Sequence, residues 1–508
     1  MSNKCTSIRN YFREYCSRSS VHGFQYIGEK KRPIFERIWW FFVFAICLSG
    51  CAFSIYTVYK KWEQSPVIVN LANSGTPIYK IPFPAVTICP ESKSAEDIFN
   101  YTDVMLKKER GELLDPLEDT RFEYMSLICN HDPNLRLSNN ETFPEEFFDV
   151  VDDIKPKFYL ENCLFMTVSD DCSSFFFPIL TSEGICYTGN MLDRSEIFKE
   201  NVVHYKNYHQ TNSSGENWTL EDGYAKEAGL NVYPIRALAS GAMNGLNFVI
   251  NTPKKNRDFA CKNSIQGYRV ALHSPTTIPW PSQKFFRIPL HQSVTATIQP
   301  TRITISDRIK TYSPKHRNCY FANERPLRYF QKYTFSNCKL ECLTNYTLMM
   351  CHCVNFFMPS RWKAKLTRIV SGDNTTEICG TGKIKCMKSA ECKFLIFISR
   401  KSNFSNSVVL MQAAYLLRNL KTLDNFTYED LKKSQMDLKC YCLPICSDLY
   451  YDAKITQTDW DWNSWLGFRR NSTELRELML SLMEILYFLS VRLICNKRLF
   501  GRWTGPED

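Results

Sequence analysis

Glycine is sparse, 19 of 508 residues, and the chain has no internal repeat or low-complexity tract, which excludes collagen-like, solenoid and disordered architectures. It lacks a Gly-x-Ser-x-Gly elbow, a His-Glu-x-x-His zinc helix and a phosphate-binding loop, so no enzyme reading has a residue to rest on. Long apolar runs are few. A mean hydropathy of -0.30 excludes a protein with many membrane spans and leaves room for one or two. What is present in excess is aromatic residues, 14% of the chain, and 22 cysteines, more than a cytosolic protein of this length carries.

The formal net charge is +11, and its placement decides what it means. Residues 1–37 carry eight Lys/Arg against three Glu, a net of +5, and residues 492–508 carry four against two acids, a net of +2. Seven of the eleven charges therefore sit in two terminal segments around a nearly balanced middle. That pattern argues against nucleic acid and for the flanks of membrane segments.

Residues 38–58 form a 21-residue stretch without a charge, which as a helix at ~1.5 Å per residue covers a ~30 Å hydrocarbon layer. Trp39 and Trp40 stand at its start and Tyr56, Tyr59 and Trp62 at its end, as ring side chains do at the two headgroup levels. Gly50 and Ser54 put small residues on one face, where another helix could approach. The run is too long and begins too late for a cleaved signal peptide. Its basic flank keeps the N-terminus in the cytoplasm and sends the large middle of the chain outside.

That middle region carries the marks of export. Acceptors of the form Asn-x-Ser/Thr occur at Asn100, Asn140, Asn212, Asn217, Asn345, Asn374, Asn403, Asn425 and Asn471, all after the span. Seventeen cysteines lie between Cys89 and Cys446, and an oxidising compartment turns most of them into disulfides. An odd number leaves at least one unpaired. A second apolar run, 478–491, is interrupted by Glu484 and succeeded by Arg492, Lys497 and Arg498; its 14 residues reach only ~21 Å as a helix. If it crosses, both ends of the chain are cytoplasmic, and Ser481 and Glu484 share a helix face turned to protein or to a water-filled path. An amphipathic tail helix outside the membrane is the alternative.

Strand-like runs recur at 84–89, 268–273 and 302–306. Helical signals begin at Ser94, with Ile98, Tyr101 and Met105 on one face, and recur at 408–420. Cys338-x3-Cys342 reads as one face of a helix over 338–350, able to fasten it to neighbouring segments; Cys351-x-Cys353, Cys379, Cys386, Cys392 and Cys440-x-Cys442-x3-Cys446 come after it. Cys351-His352-Cys353 lacks the paired spacing of a zinc site, so disulfides are the expectation. Glu145, Glu146, Asp149, Asp152 and Asp153 form an acidic cluster whose plainer reading is a solvated helix face.

Several blocks together resemble the degenerin and epithelial sodium channel superfamily, and most closely its pickpocket branch. They are His22-Gly23 ahead of the first span, Phe83-Pro-Ala-Val-Thr-Ile-Cys89, Gly184-Ile-Cys-Tyr-Thr188, Gly267-Tyr-Arg-Val-Ala-Leu-His-Ser-Pro275 and Arg317-Asn-Cys-Tyr-Phe321. Asn337-Cys-Lys-Leu-Glu-Cys342, Cys351-His-Cys353, Cys440-Tyr-Cys-Leu-Pro-Ile-Cys446 and Ser481-Leu-Met-Glu-Ile-Leu-Tyr-Phe488 continue the order. The resemblance implies a membrane protein with two transmembrane helices, the second truncated, flanking a large disulfide-rich α/β ectodomain with a β-core. It divides the chain into a cytoplasmic N-terminus (1–37), a first transmembrane helix (38–59), an extracellular domain (60–475), a partial second helix (476–495) and a cytoplasmic C-terminus (496–508).

It further implies an amiloride-sensitive, sodium-preferring channel of the plasma membrane, a homo- or heterotrimer with related subunits, opened by an extracellular stimulus. His22 and Gly23 would serve gating, Ser481 and Glu484 the pore, and Cys89, Cys186, Cys319, Cys338, Cys342, Cys351, Cys353, Cys440, Cys442 and Cys446 the disulfides. No cofactor, metal or nucleic acid is expected. The chain departs from the pattern at the selectivity filter: the positions of the family's Gly-x-Ser hold Arg476, Glu477 and Leu478, which cannot form a ring of carbonyls and small hydroxyls. The expectation is thus a subunit that does not conduct in this form, with a single-pass cysteine-rich receptor or modulatory subunit as the alternative.

Overall fold

The computed structural model describes residues 2–29, 32–64, 68–71, 75–129, 137–169, 171–200, 202–203, 210–211, 213–215, 217–229, 232–253, 258–361, 377–401, 440–461, 486–495 and 499–504. They belong to two compact units: Met1–Ile68 with Ser306–Arg317 and Thr504–Asp508, and Val69–Ile305 with Asn318–Trp503.

In the first unit, helices α1 (Ser2–Arg18), α2 (Phe24–Gly28) and α3 (Ile34–Gln64) succeed one another. The 31 residues of α3 make a rod of about 46 Å. Its Ile34–Glu63 stretch has a mean hydropathy of 2.1 and is long and apolar enough to cross a membrane. Phe41, Phe42, Ile46, Phe53 and Ile55 point outward along it, an apolar surface that needs lipid or other helices as cover. The helix outruns the expected 38–59 at both ends because the flanking Glu36, Arg37, Lys60 and Lys61 propagate a helix as readily as apolar residues do.

The second unit is built on two sheets. In the five-stranded one the order is Phe286–Ile288, Tyr268–His273, Ala85–Pro90, Gly184–Gly189 and Phe176–Thr181, antiparallel throughout. Ala85–Pro90 is central and buried on both faces, and its one polar side chain, Thr87, is satisfied by a hydrogen bond to the Thr188 hydroxyl at 2.9 Å. The eight-stranded sheet centres on Gln292–Ile305, whose Val294, Ala296 and Ile298 point inward at the two-residue period of a strand. These three join Phe83, Val86, Ile88, Phe248, Ile250 and Val270 in one apolar core. Helices cover this framework: Tyr101–Glu109, Pro116–Ile128 and Glu146–Ile154 pack around Phe122, Met125 and Phe147, while Phe335–Cys351 packs through Leu340, Leu343 and Tyr346.

Three expectations change. The helix foreseen from Ser94 begins at Tyr101, because the Asn100 side chain, not that of Ser94, accepts the Asp103 N–H at 3.0 Å and caps it. The short run at 302–306 is the end of the 14-residue strand Gln292–Ile305. The second membrane helix of 476–495 is not helical where it is described: Leu486–Cys495 is a strand, antiparallel to Leu246–Pro253 and parallel to Gln292–Ile305. Rich in aromatic and branched residues, it fills a slot whose two flanking edges would otherwise carry unpaired backbone groups. The expected helix at 408–420 lies outside the described residues.

Candidate functional site

The turn between α1 and α2 contains His22 and Gly23. Gly23 has φ +83°, a left-handed conformation costly for any residue with a side chain, and a Cβ there would stand 2.9 Å from Cε3 of Trp40. It is therefore buried under a ring of α3, while His22 is exposed beside it. Phe24 extends the contact, its ring lying 6.4 Å from Phe12, 6.1 Å from Tyr15 and 5.1 Å from Phe44, and Tyr26 lies 4.8 Å from Trp40. Arg32 completes the bend with ion pairs to Glu29 (2.6 Å) and Glu36, its guanidinium 4.4 Å above Tyr26. The segment ahead of α3 is thus folded back along it as far as Phe44.

The pore residues Ser481 and Glu484, and the filter positions 476–478, lie outside the described residues. The ten cysteines expected to pair form, with Cys379 and Cys386, six disulfides: Cys89–Cys186, Cys319–Cys446, Cys338–Cys442, Cys342–Cys440, Cys351–Cys386 and Cys353–Cys379. Two more, Cys129–Cys261 and Cys163–Cys172, join cysteines to which the sequence pattern assigns no role, and Cys392 stays a buried free thiol. Cys338 and Cys342, one turn apart, fasten the Phe335–Cys351 helix to the 440–446 segment at two rungs. With both sulfurs of Cys351-His352-Cys353 in disulfides and His352 an exposed left-handed cap, the donor set does not fit zinc. Cys338, Cys342 and Cys442 also cluster, but as members of adjacent disulfides rather than as thiolates.

Of the glycosylation acceptors, Asn140 and Asn217 are exposed, and Asn100 is half-buried in its capping role. Asn345 sits inside a helix with Thr347 of its motif fully buried. Asn212, Asn374, Asn403, Asn425 and Asn471 lie outside the described residues. The acidic cluster at 145–153 conforms to its plainer reading: Phe147, Val151 and Ile154 face the core from the Glu146–Ile154 helix.

The buried charges are elsewhere, where no run of acids announces them. Glu91, 1% exposed, accepts from Arg269 (3.3 Å) and Arg287 (3.2 Å); Arg269 also donates to Glu183 at 2.9 Å. Glu183 further pairs with Lys262 (3.2 Å) and Lys93 (3.9 Å). Burial pulls the Lys93 ammonium down to about 7, against the attraction of Glu183. This knot ties the end of the Ala85–Pro90 strand to the turn at Glu183 and to Tyr268–His273. The one sequence signal for it is charge immediately beside buried strand residues, in Pro90-Glu-Ser-Lys93 and Tyr268-Arg269.

An outward-facing apolar helix beside a folded His-Gly turn, joined in sequence to a disulfide-stapled two-sheet body, defines a class of membrane proteins with a large exported domain. The family description "Amiloride-sensitive sodium channel" matches residues 15–492, and the chain belongs to that family, whose members are ion channels and not enzymes. Within it the chain belongs to the pickpocket branch. It is 28% identical over 379 residues to Pickpocket protein 28 of Drosophila melanogaster, covering 73% of this chain and 58% of that protein. It is 24% identical over 467 residues to Sodium channel protein Nach of the same organism, covering 88% and 73%. Similarity reaches the Bile acid-sensitive ion channel of Mus musculus at 22% identity over 375 residues, covering 70% and 62%. The match thus spans less than two thirds of Pickpocket protein 28.

Proposed function

We propose that the chain is a subunit of an amiloride-sensitive, sodium-preferring channel of the plasma membrane, gated by an extracellular stimulus, and that it does not conduct by itself. It acts in a homo- or heterotrimer with related subunits, to which it contributes the disulfide-stapled exported domain and the His22-Gly23 turn. The observation that carries this reading is the strand Leu486–Cys495. Residues that pair with Leu246–Pro253 and Gln292–Ile305 in a sheet cannot at the same time form a pore-lining helix. Arg476, Glu477 and Leu478 at the filter positions point the same way. The folded-back turn fits gating, since its ring contacts give the segment ahead of α3 a defined position that a stimulus could shift.

Voltage clamp in cells without endogenous channels of this family tests the proposal. The chain expressed alone is expected to give no amiloride-blocked sodium current, and together with a related full-length subunit to change the amplitude of that subunit's current. Robust current from the chain alone, or a partner current indifferent to it, contradicts the proposal.

A further inference from the structure

The N-terminal helix α1 carries its apolar side outward. Ile8, Tyr11 and Tyr15, spaced i, i+3 and i+7, share one face of the helix and are 69%, 73% and 59% exposed; Phe12 beside them is 46% exposed. The exposed Asn10, Glu14 and Ser17 take the opposite face. Cys16, between the two, is fully buried against Gly28 of α2, where a Cβ would stand 2.6 Å from its own. Single exposed apolar residues are ordinary, but a row of them along one helix is a surface that lacks its cover.

The level of α1 along α3 says what covers it. The Phe24 ring touches Phe44 at 5.1 Å, and Phe12 and Tyr15 of α1 flank that same ring at 6.4 and 6.1 Å. Phe44 lies six residues into the uncharged stretch that begins at Ile38, ~9 Å along the helix axis. With α3 across a bilayer, the rings that join α1 to it are therefore inside the edge of the apolar layer. An in-plane amphipathic helix seats its apolar face at a depth of ~5–10 Å, which is the same level. Phe41 and Phe42, outward on α3, stand there too. In sequence α1 has Lys4, Arg9, Arg13 and Arg18 against the single acid Glu14, the mixture of basic and aromatic residues that suits a phospholipid surface.

We propose that α1 lies in the plane of the leaflet that the start of α3 enters, with Ile8, Tyr11 and Tyr15 in phospholipid and Asn10, Glu14 and Ser17 facing water. The inference rests on the reading that α3 crosses the membrane and is independent of conduction. It gives the His22-Gly23 turn a fixed depth, held from one side by Trp40 and from the other by a lipid-seated helix.

Photolabelling of the full-length chain in phosphatidylcholine vesicles tests it, with Tyr11, Tyr15, Asn10 or Ile46 replaced singly by benzoylphenylalanine and the phospholipid radiolabelled in its acyl chains. Ile46, 70% exposed on α3, reports the crossing itself. After irradiation, the Tyr11 and Tyr15 variants are expected to take up label at a level close to that of Ile46 and several-fold above that of Asn10. Label at both no higher than at Asn10, or crosslinking to a second protein chain in place of lipid, overturns the inference while a labelled Ile46 keeps the crossing. An unlabelled Ile46 overturns the crossing, and the place given to α1 with it. As a second measurement, the I8N/Y11N variant leaves the Phe24 and Gly23 contacts in place and should raise tryptic cleavage at Arg13 in opened vesicles several-fold; an unchanged rate overturns the inference.

Discussion

At Gly23 the lack of a Cβ answers two demands at once, a positive φ and the close approach of Trp40. A left-handed residue with a side chain costs ~1–2 kcal/mol, and here the ring adds a clash. Gly23→Val should therefore loosen the turn and raise tryptic cleavage at Arg18 in opened membrane vesicles several-fold; adding Trp40→Ala, which removes the clash but not the strained φ, should restore protection in part. Equal cleavage in Gly23→Val and the parent counts against this role for the turn. The sequence could point to Gly23 by its distance ahead of an uncharged run, but not to Trp40 as its partner, because that contact is made only when the segment folds back. For the buried knot of Glu91, Glu183, Arg269 and Lys93 the sequence offers only charge beside strand residues and not the partners, because its members are scattered from 91 to 269 and meet only through sheet pairing.

Between elements, the disulfides are the main fastenings of the exported unit. The helix face carrying Cys338 and Cys342 was readable from their one-turn spacing, whereas their partners depend on where the 440–446 segment returns. Cys351–Cys386 and Cys353–Cys379 tie the end of the Phe335–Cys351 helix to the start of Ile384–Lys401 and the strand before it. Losing a native disulfide in a stapled domain costs ~2–5 kcal/mol, a large part of a domain's stability. Cys351→Ser and Cys353→Ser are each expected to reduce surface delivery strongly, measured by surface biotinylation, while Cys392→Ala, which breaks no disulfide, delivers like the parent. Normal delivery of both serine variants, or loss with Cys392→Ala alone, contradicts the pairing. The start of the helix at Tyr101 rather than near Ser94 is a smaller lesson of this kind. Both sites offer a capping side chain, and tertiary packing of Ala95 and Phe99 selects the later one.

For the whole molecule, the first span, the exported middle and the β-core were legible because each rests on a long compositional signal. The pairing of Leu486–Cys495 was not, since an apolar run such as 478–491 suits half a membrane helix as well as a strand, and the two strand edges that Leu486–Cys495 pairs with come from distant parts of the chain. One crossing is therefore predicted, at α3, with Leu486–Cys495 held in the exported sheet. Antibody labelling of intact cells carrying one tag before Met1 and another after Asp508 tests this most directly. The N-terminal tag should be reached only after permeabilisation and the C-terminal tag without it; a C-terminal tag that stays hidden until the cells are permeabilised would place a second crossing in the chain and contradict the sheet pairing on which the proposed function rests.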